Sequence, residues 1–245
     1  MGIEDFNELE LLQGSTTVIF VTISVILGFK ILSRYSSRKQ IEYITIGLTW
    51  ILMTSGWWRG VVNFVSILFF GEQSSLGVLI DTIFIPIAIL CWIYSFSHLL
   101  YPKSEKKIII PFSIIIIIYE ILLLSLYSIN PEYIGSAILP FNNTYGILHL
   151  SFLFIVIFIV IITGVLFAKR SMKSLDPRIQ WRGKFLLLAF SSFAVSSIID
   201  PAFDLTALSV VIVRILLISS AIEYYLGFLL PKRLERLLIK EPNSQ

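Results

Sequence analysis

Residues 108–127 are twenty in a row of which Glu120 is the only charged one. A helix of that length measures about 30 Å, the thickness of the hydrocarbon core of a bilayer. The pattern recurs. Apolar stretches occupy residues 16–33, 43–69, 76–99, 108–127, 146–167, 185–199 and 205–230. Between them stand turn-forming segments: Gly71-Glu72-Gln73-Ser74-Ser75, Tyr101-Pro102-Lys103, Asn130-Pro131, Asp176-Pro177 and Asp200-Pro201. The second stretch is interrupted by Gly56-Trp57-Trp58-Arg59-Gly60. A soluble domain carries about 25% charged residues; this chain carries 14%, with 56% hydrophobic and a mean hydropathy of +0.87. So little polar surface cannot cover such a core in water. The fold class predicted is all-α, a seven-transmembrane helix bundle. Residues 1–15 form a tail, 16–230 the seven-helix domain, and 231–245 a second tail with a short amphipathic helix.

Orientation follows from the basic residues, because positively charged loops stay in the cytoplasm. Seventeen of the 19 Lys and Arg fall in four segments. Lys30, Arg34, Arg38 and Lys39 follow the first span, and Lys103, Lys106 and Lys107 the third. Lys169, Arg170, Lys173, Arg178, Arg182 and Lys184 follow the fifth; Lys232, Arg233, Arg236 and Lys240 follow the seventh. The alternate segments hold only acids: Glu72, Glu132, Asp200 and Asp204, with Glu4, Asp5, Glu8 and Glu10 at the start. Such alternation requires an odd number of spans, with the N-terminus outside and the C-terminus cytoplasmic. The net charge of +3 is this topology signal and implies no nucleic-acid partner. An acidic rather than basic start also distinguishes the first span from a signal peptide. Asn142-Asn143-Thr144 is an outward glycosylation sequon.

Charges inside a bilayer are costly and mark candidate sites. They are Arg59, Asp81, Glu120, Arg214 and Glu223. Arg59 shares a helix face with Ser55, Gly56, Asn63 and Ser66, beside Trp57 and Trp58, and this polar stripe should face the bundle interior. Asp81 lies across a short loop, so an Arg59–Asp81 ion pair is expected, either as a structural pair or as the lining of an outward-facing ligand pocket; the alternative is that Arg59 snorkels to the outer interface, where Trp also prefers to sit. Arg214 and Glu223 point to opposite faces of the last helix. Arg214 therefore needs another partner: Asp81, Glu120 or a bound anion. Glu120 should bond near Tyr119 or Tyr127, or act in a proton relay. Glu223 should reach cytoplasmic lysines. Ser191, Ser192, Ser196 and Ser197 favour close helix packing.

Other chemistries lack their residues. The two histidines, His98 and His149, sit at opposite ends of their spans, so no His-rich metal site is expected. Lone Cys91 cannot form an internal disulfide. No nucleophile elbow or phosphate-binding glycine loop occurs, and the last span has no lysine for a retinal Schiff base. No catalytic residue, cofactor or enzyme activity is expected.

Four elements carry a resemblance. They are a third span with a mid-span proline, Ile85-Pro86, and the aromatic inner end Trp92-Ile93-Tyr94-Ser95-Phe96; Asn130-Pro131-Glu132-Tyr133 after the fourth; Tyr145-Gly146-Ile147-Leu148-His149-Leu150 opening the fifth; and the basic entry from Arg178 to Lys184. The chain resembles the N-terminal seven-transmembrane sensor region of archaeal and bacterial histidine kinases, here without the kinase. The resemblance implies sensing. The expected partners are the lipid bilayer, a small-molecule or lipid ligand bound near Arg59, Asp81 and Arg214, and a cytoplasmic signalling protein. A small-molecule or ion transporter and a structural subunit of a membrane complex are the alternatives.

Overall fold

A computed structural model describes residues 6–72, 79–137, 143–202 and 206–239. Glu4, Asp5, the turn residues 73–75, Asn142 of the sequon, Asp204 and Lys240 lie outside the described residues. Eleven helices are described. They are α1 (Glu8–Leu32), α2 (Arg34–Arg38), α3 (Glu42–Met53), α4 (Trp58–Phe70), α5 (Leu79–Thr82), α6 (Ile85–Leu100), α7 (Glu105–Ile129), α8 (Ile147–Met172), α9 (Pro177–Ala202), α10 (Ala207–Phe228) and α11 (Lys232–Leu238). A small hairpin pairs β1 (Gly135–Ala137) antiparallel with β2 (Asn143–Tyr145).

Six helical stretches among the described residues are long and apolar enough to cross a membrane. Their outer faces agree with that solvent. On α7, Ile110, Ile114, Ile117, Ile118 and Ile121 are all more than half exposed. A stripe of this kind is stable against lipid and not against water. The chain is therefore a multi-pass membrane protein built as an all-α bundle. The remaining apolar stretch, residues 42–70, is not one helix. A 3₁₀ turn, Thr54–Trp57, joins α3 to α4, at the Gly-Trp-Trp-Arg-Gly interruption visible in the sequence.

Several boundaries differ from expectation. The chain is helical from Glu8, not from residue 16, because Asn7 and Glu10 form a capping box: Asn7 Oδ1 accepts from the Glu10 N–H at 2.9 Å and Glu10 Oε2 from the Asn7 N–H at 2.9 Å. The third apolar stretch is two helices, α5 and α6. Pro86 thus stands in the first turn of α6, where its missing N–H breaks no helical bond, rather than in mid-helix. The sixth helix starts at Pro177, eight residues early. Asp176 Oδ1 caps it by accepting the Arg178 N–H at 2.8 Å, with proline at the first helical position. It also runs through Asp200-Pro201 to Ala202, where a turn was expected.

The core is aromatic. Trp50 of α3 stacks on Tyr224 of α10 at 4.3 Å and meets Phe193 of α9 at 5.4 Å. Trp92 of α6 packs on Phe190 at 4.9 Å and donates to Thr163 Oγ1 at 2.7 Å. The helix order around this core follows from its contacts: α1 lies between α3 and α10, α3 against α6, and α8 and α10 flank α9. Close approach of α1 and α3 rests on two glycines. A Cβ on Gly47 would stand 2.8 Å from Gly28 O and 2.9 Å from Leu32 N, so nothing larger fits.

Candidate functional site

Four helices converge on the α3–α4 junction through two carboxylates, one buried and one mostly buried. Trp57, the last residue of the 3₁₀ turn, donates its indole N–H to Asp200 Oδ2 at 2.6 Å. Two residues on, Arg59 donates its main-chain N–H to Asp81 Oδ1 at 2.8 Å. Asp81 belongs to α5 and Asp200 to α9, so the junction is tied from two sides. The first N–H groups of a helix have no internal partner and carry partial positive charge. Asp81 therefore serves α4 as an N-terminal acceptor contributed by another element.

Each carboxylate also faces a guanidinium. Arg59 Nε lies 3.6 Å from Asp81 Oδ2, and both side chains are almost fully buried, at 2 % and 1 % exposed. Arg214 of α10 donates to Asp200 Oδ2 at 2.8 Å. The expected Arg59–Asp81 pair is thus present. The expected partners of Arg214, Asp81 or Glu120 among the protein groups, are not the ones it meets; Asp200 is. The reason is that Asp200 stays inside α9 and that long side chains on a helix lean toward its N-terminus. Arg214 therefore reaches back toward the α9–α10 connection. Trp58 donates to Thr54 Oγ1 at 3.2 Å and packs on Phe84 at 5.1 Å, and Asn63 is buried on α4.

Donors outnumber acceptors in this layer. Arg59 Nε, Nη1 and Nη2 have no hydrogen-bond partner, nor has Ser55 Oγ, and all are buried. Arg214 Nε is likewise unpartnered. Polar groups buried in this way normally have a partner, because an unmade hydrogen bond costs about 1–3 kcal/mol.

Two other membrane carboxyls stand apart from the layer. Glu120 is on α7, which packs on α6, and its Oε1 is buried with no hydrogen-bond partner. It does not bond near Tyr119 as expected, because the Tyr119 hydroxyl pairs with His149 Nδ1 at 2.6 Å while its ring stacks on Phe152. Among the described residues Glu223 pairs with no lysine, contrary to expectation. Ser219 donates to its Oε1 at 2.6 Å and Ser192 to its Oε2 at 3.2 Å, which holds it at the α9–α10 seam.

Two polar arrangements were not expected from sequence. Asp200, placed there in an outer loop, is the acceptor shared by Trp57 and Arg214. At the opposite end of the bundle, His98 bridges Glu42 and Glu105, with Nε2 3.0 Å from Glu42 Oε1 and Nδ1 2.8 Å from Glu105 Oε2. The Glu–His–Glu order along three helices has no local sequence signature. Among the described residues no three His, Cys, Asp or Glu side chains are grouped to hold a metal ion. A void of about 10 Å³ between Trp50, Trp92, Phe193 and Tyr224 holds at most one water and is no ligand pocket. No protein-family model, no curated protein and no solved structure matches this chain.

Proposed function

We propose that the chain is a receptor-like sensor of the cell membrane. It crosses seven times, with the N-terminus outside and the C-terminus cytoplasmic, and carries no catalytic centre. It reads a small ligand or lipid in the layer around Arg59, Asp81 and Arg214, and signals through a cytoplasmic protein docked on its basic face. The seventh crossing is the α3–α4 segment, whose helices and 3₁₀ turn cover residues 42–70, ample length for a bilayer at about 1.5 Å per residue. The alternation of basic and acidic segments sets the orientation and places the Arg59 layer in the outer half.

One observation carries the binding reading. Arg59 is a fully buried cation whose one charged contact among the described residues is Asp81 at 3.6 Å, and whose guanidinium nitrogens have no hydrogen-bond partner. The layer also lies on a helix break shared by four elements, so a ligand there acts on how those elements sit together. The resemblance to kinase-linked sensor regions supports sensing as the output.

Thermal unfolding of the detergent-purified chain against lipids and small metabolites tests this, beside Arg214→Ala. A ligand at 100 times its Kd stabilises by about 2.7 kcal/mol. The reading expects a stabilising ligand whose effect disappears in the variant. No ligand effect, with Arg214→Ala strongly destabilised, makes the layer a packing device and the chain a structural subunit. A second reading, proton-coupled transport, draws on Glu120 and its unpartnered Oε1. Proton-linked flux into liposomes that Glu120→Gln abolishes would establish it.

A further inference from the structure

Resting on the receptor reading, we infer that the ligand is a carboxylate, seated between Ser55 and Arg59 at the α3–α4 junction. The junction holds two buried polar side chains about one turn apart, Ser55 at 0 % exposed and Arg59 at 2 %. Neither the hydroxyl nor any guanidinium nitrogen has a hydrogen-bond partner. All of these groups can donate, and the guanidinium can only donate. An acceptor-rich guest is therefore the complement, and a planar carboxylate matches the two-pronged guanidinium edge.

Charge narrows the class. Asp81 balances Arg59 and Asp200 balances Arg214, so every negative charge a guest brings is uncompensated in a low-dielectric site. A single charge offset by the unmade guanidinium hydrogen bonds is the limit, and a dianion is excluded. The main chain between these donors is open on one side. A Cβ built on half-buried Gly56, between Ser55 and Trp57, would meet only Ile85 Cδ1, at 3.9 Å. That side of the junction thus faces the start of α6. The carboxylate group has two sources, a small acid dissolved in water or a fatty acid dissolved in the bilayer.

The test uses the full chain purified in detergent, heated with sodium acetate, sodium laurate, methyl laurate or sodium sulfate at matched ionic strength against sodium chloride. The inference expects the apparent Tm to rise by about 5–11 °C at about 100 times Kd with acetate or laurate. Methyl laurate and sulfate should give no rise. Acetate acting alone identifies a soluble acid, and laurate acting alone a fatty acid. Arg59→Lys keeps the charge and loses the fork, and should weaken the effective carboxylate about tenfold or more; Ser55→Ala should weaken it less. No shift from either carboxylate, or an equal shift in wild type and Arg59→Lys, overturns the inference. If a neutral lipid or metabolite stabilises while both carboxylates fail, the carboxylate assignment falls and the receptor reading stands. If nothing stabilises, both fall.

Discussion

Asp200→Ala removes an acceptor that two elements of the polar layer share. Its Oδ2 accepts from Trp57 Nε1 at 2.6 Å and from Arg214 Nη1 at 2.8 Å. The side chains of Arg214 and Asp200 are 8 % and 14 % exposed, so water does not replace the lost acceptor. Removing one partner of a buried ion pair costs about 3–5 kcal/mol, because the other charge is left uncompensated. The orphaned indole N–H adds to the loss, although the two share one oxygen and their costs do not sum. A net loss of about 4 kcal/mol corresponds to a fall of about 8–16 °C in apparent Tm for a chain of this size. Asp200→Asn keeps an oxygen for both donors without the charge, and should lose about half as much. The double variant Asp200→Leu with Arg214→Met removes both charges, and should be more stable than Asp200→Ala alone. The assay is thermal unfolding in detergent without added ligand. A loss below about 1 kcal/mol for Asp200→Ala, or a double variant worse than the single, would refute a desolvated Arg214–Asp200 pair.

Three further changes probe other parts of the bundle by the same assay. Gly47→Ala places a methyl 2.8 Å from Gly28 O and 2.9 Å from Leu32 N; backbone cannot yield, and overpacking should cost about 1–3 kcal/mol. Tyr119→Phe leaves volume intact but removes the hydroxyl paired with buried His149, and should cost about 1–3 kcal/mol, while the same change at exposed Tyr133 should be neutral. His98→Ala frees Glu42 and Glu105 from the imidazole that bridges them. With His98 37 % exposed the loss should be about 1 kcal/mol, and Glu105→Gln in that background should recover part of it by removing one of two neighbouring like charges.

Helix class and the break in the second apolar stretch were legible from sequence. Both depend on composition over many residues, which no single contact overrides. The Arg59–Asp81 pair was legible for a related reason: two opposite buried charges flank one short connection and have few alternatives. The Arg214 partner was misread because Asp200-Pro201 looks like a turn. A proline in the last turn of a helix removes only one late N–H, so α9 continues and keeps Asp200 in place. The early start at Pro177 was missed because basic residues 178–184 read as loop, although Asp176-Pro177 is a cap followed by a favoured first residue. The pairing of His98 with two glutamates, and of Tyr119 with His149, depends on which helices are neighbours. Periodicity carries no record of that.

Side-specific labelling across the broken α3–α4 segment bears most directly on the claim that its polar layer sits inside a seven-span, N-out bundle. Cys91 is the chain's single cysteine, so a Cys91→Ala background accepts reporter cysteines cleanly. Ser37→Cys lies in the connection before α3 and Glu72→Cys just after α4, both at exposed positions. With a membrane-impermeant maleimide on intact cells, Glu72→Cys should label and Ser37→Cys should label only after permeabilisation. Labelling of both positions from the same side would mean that residues 42–70 enter and leave by one face. The bundle would then have six spans, and the Arg59 layer would not lie in an outer half reached by way of α4.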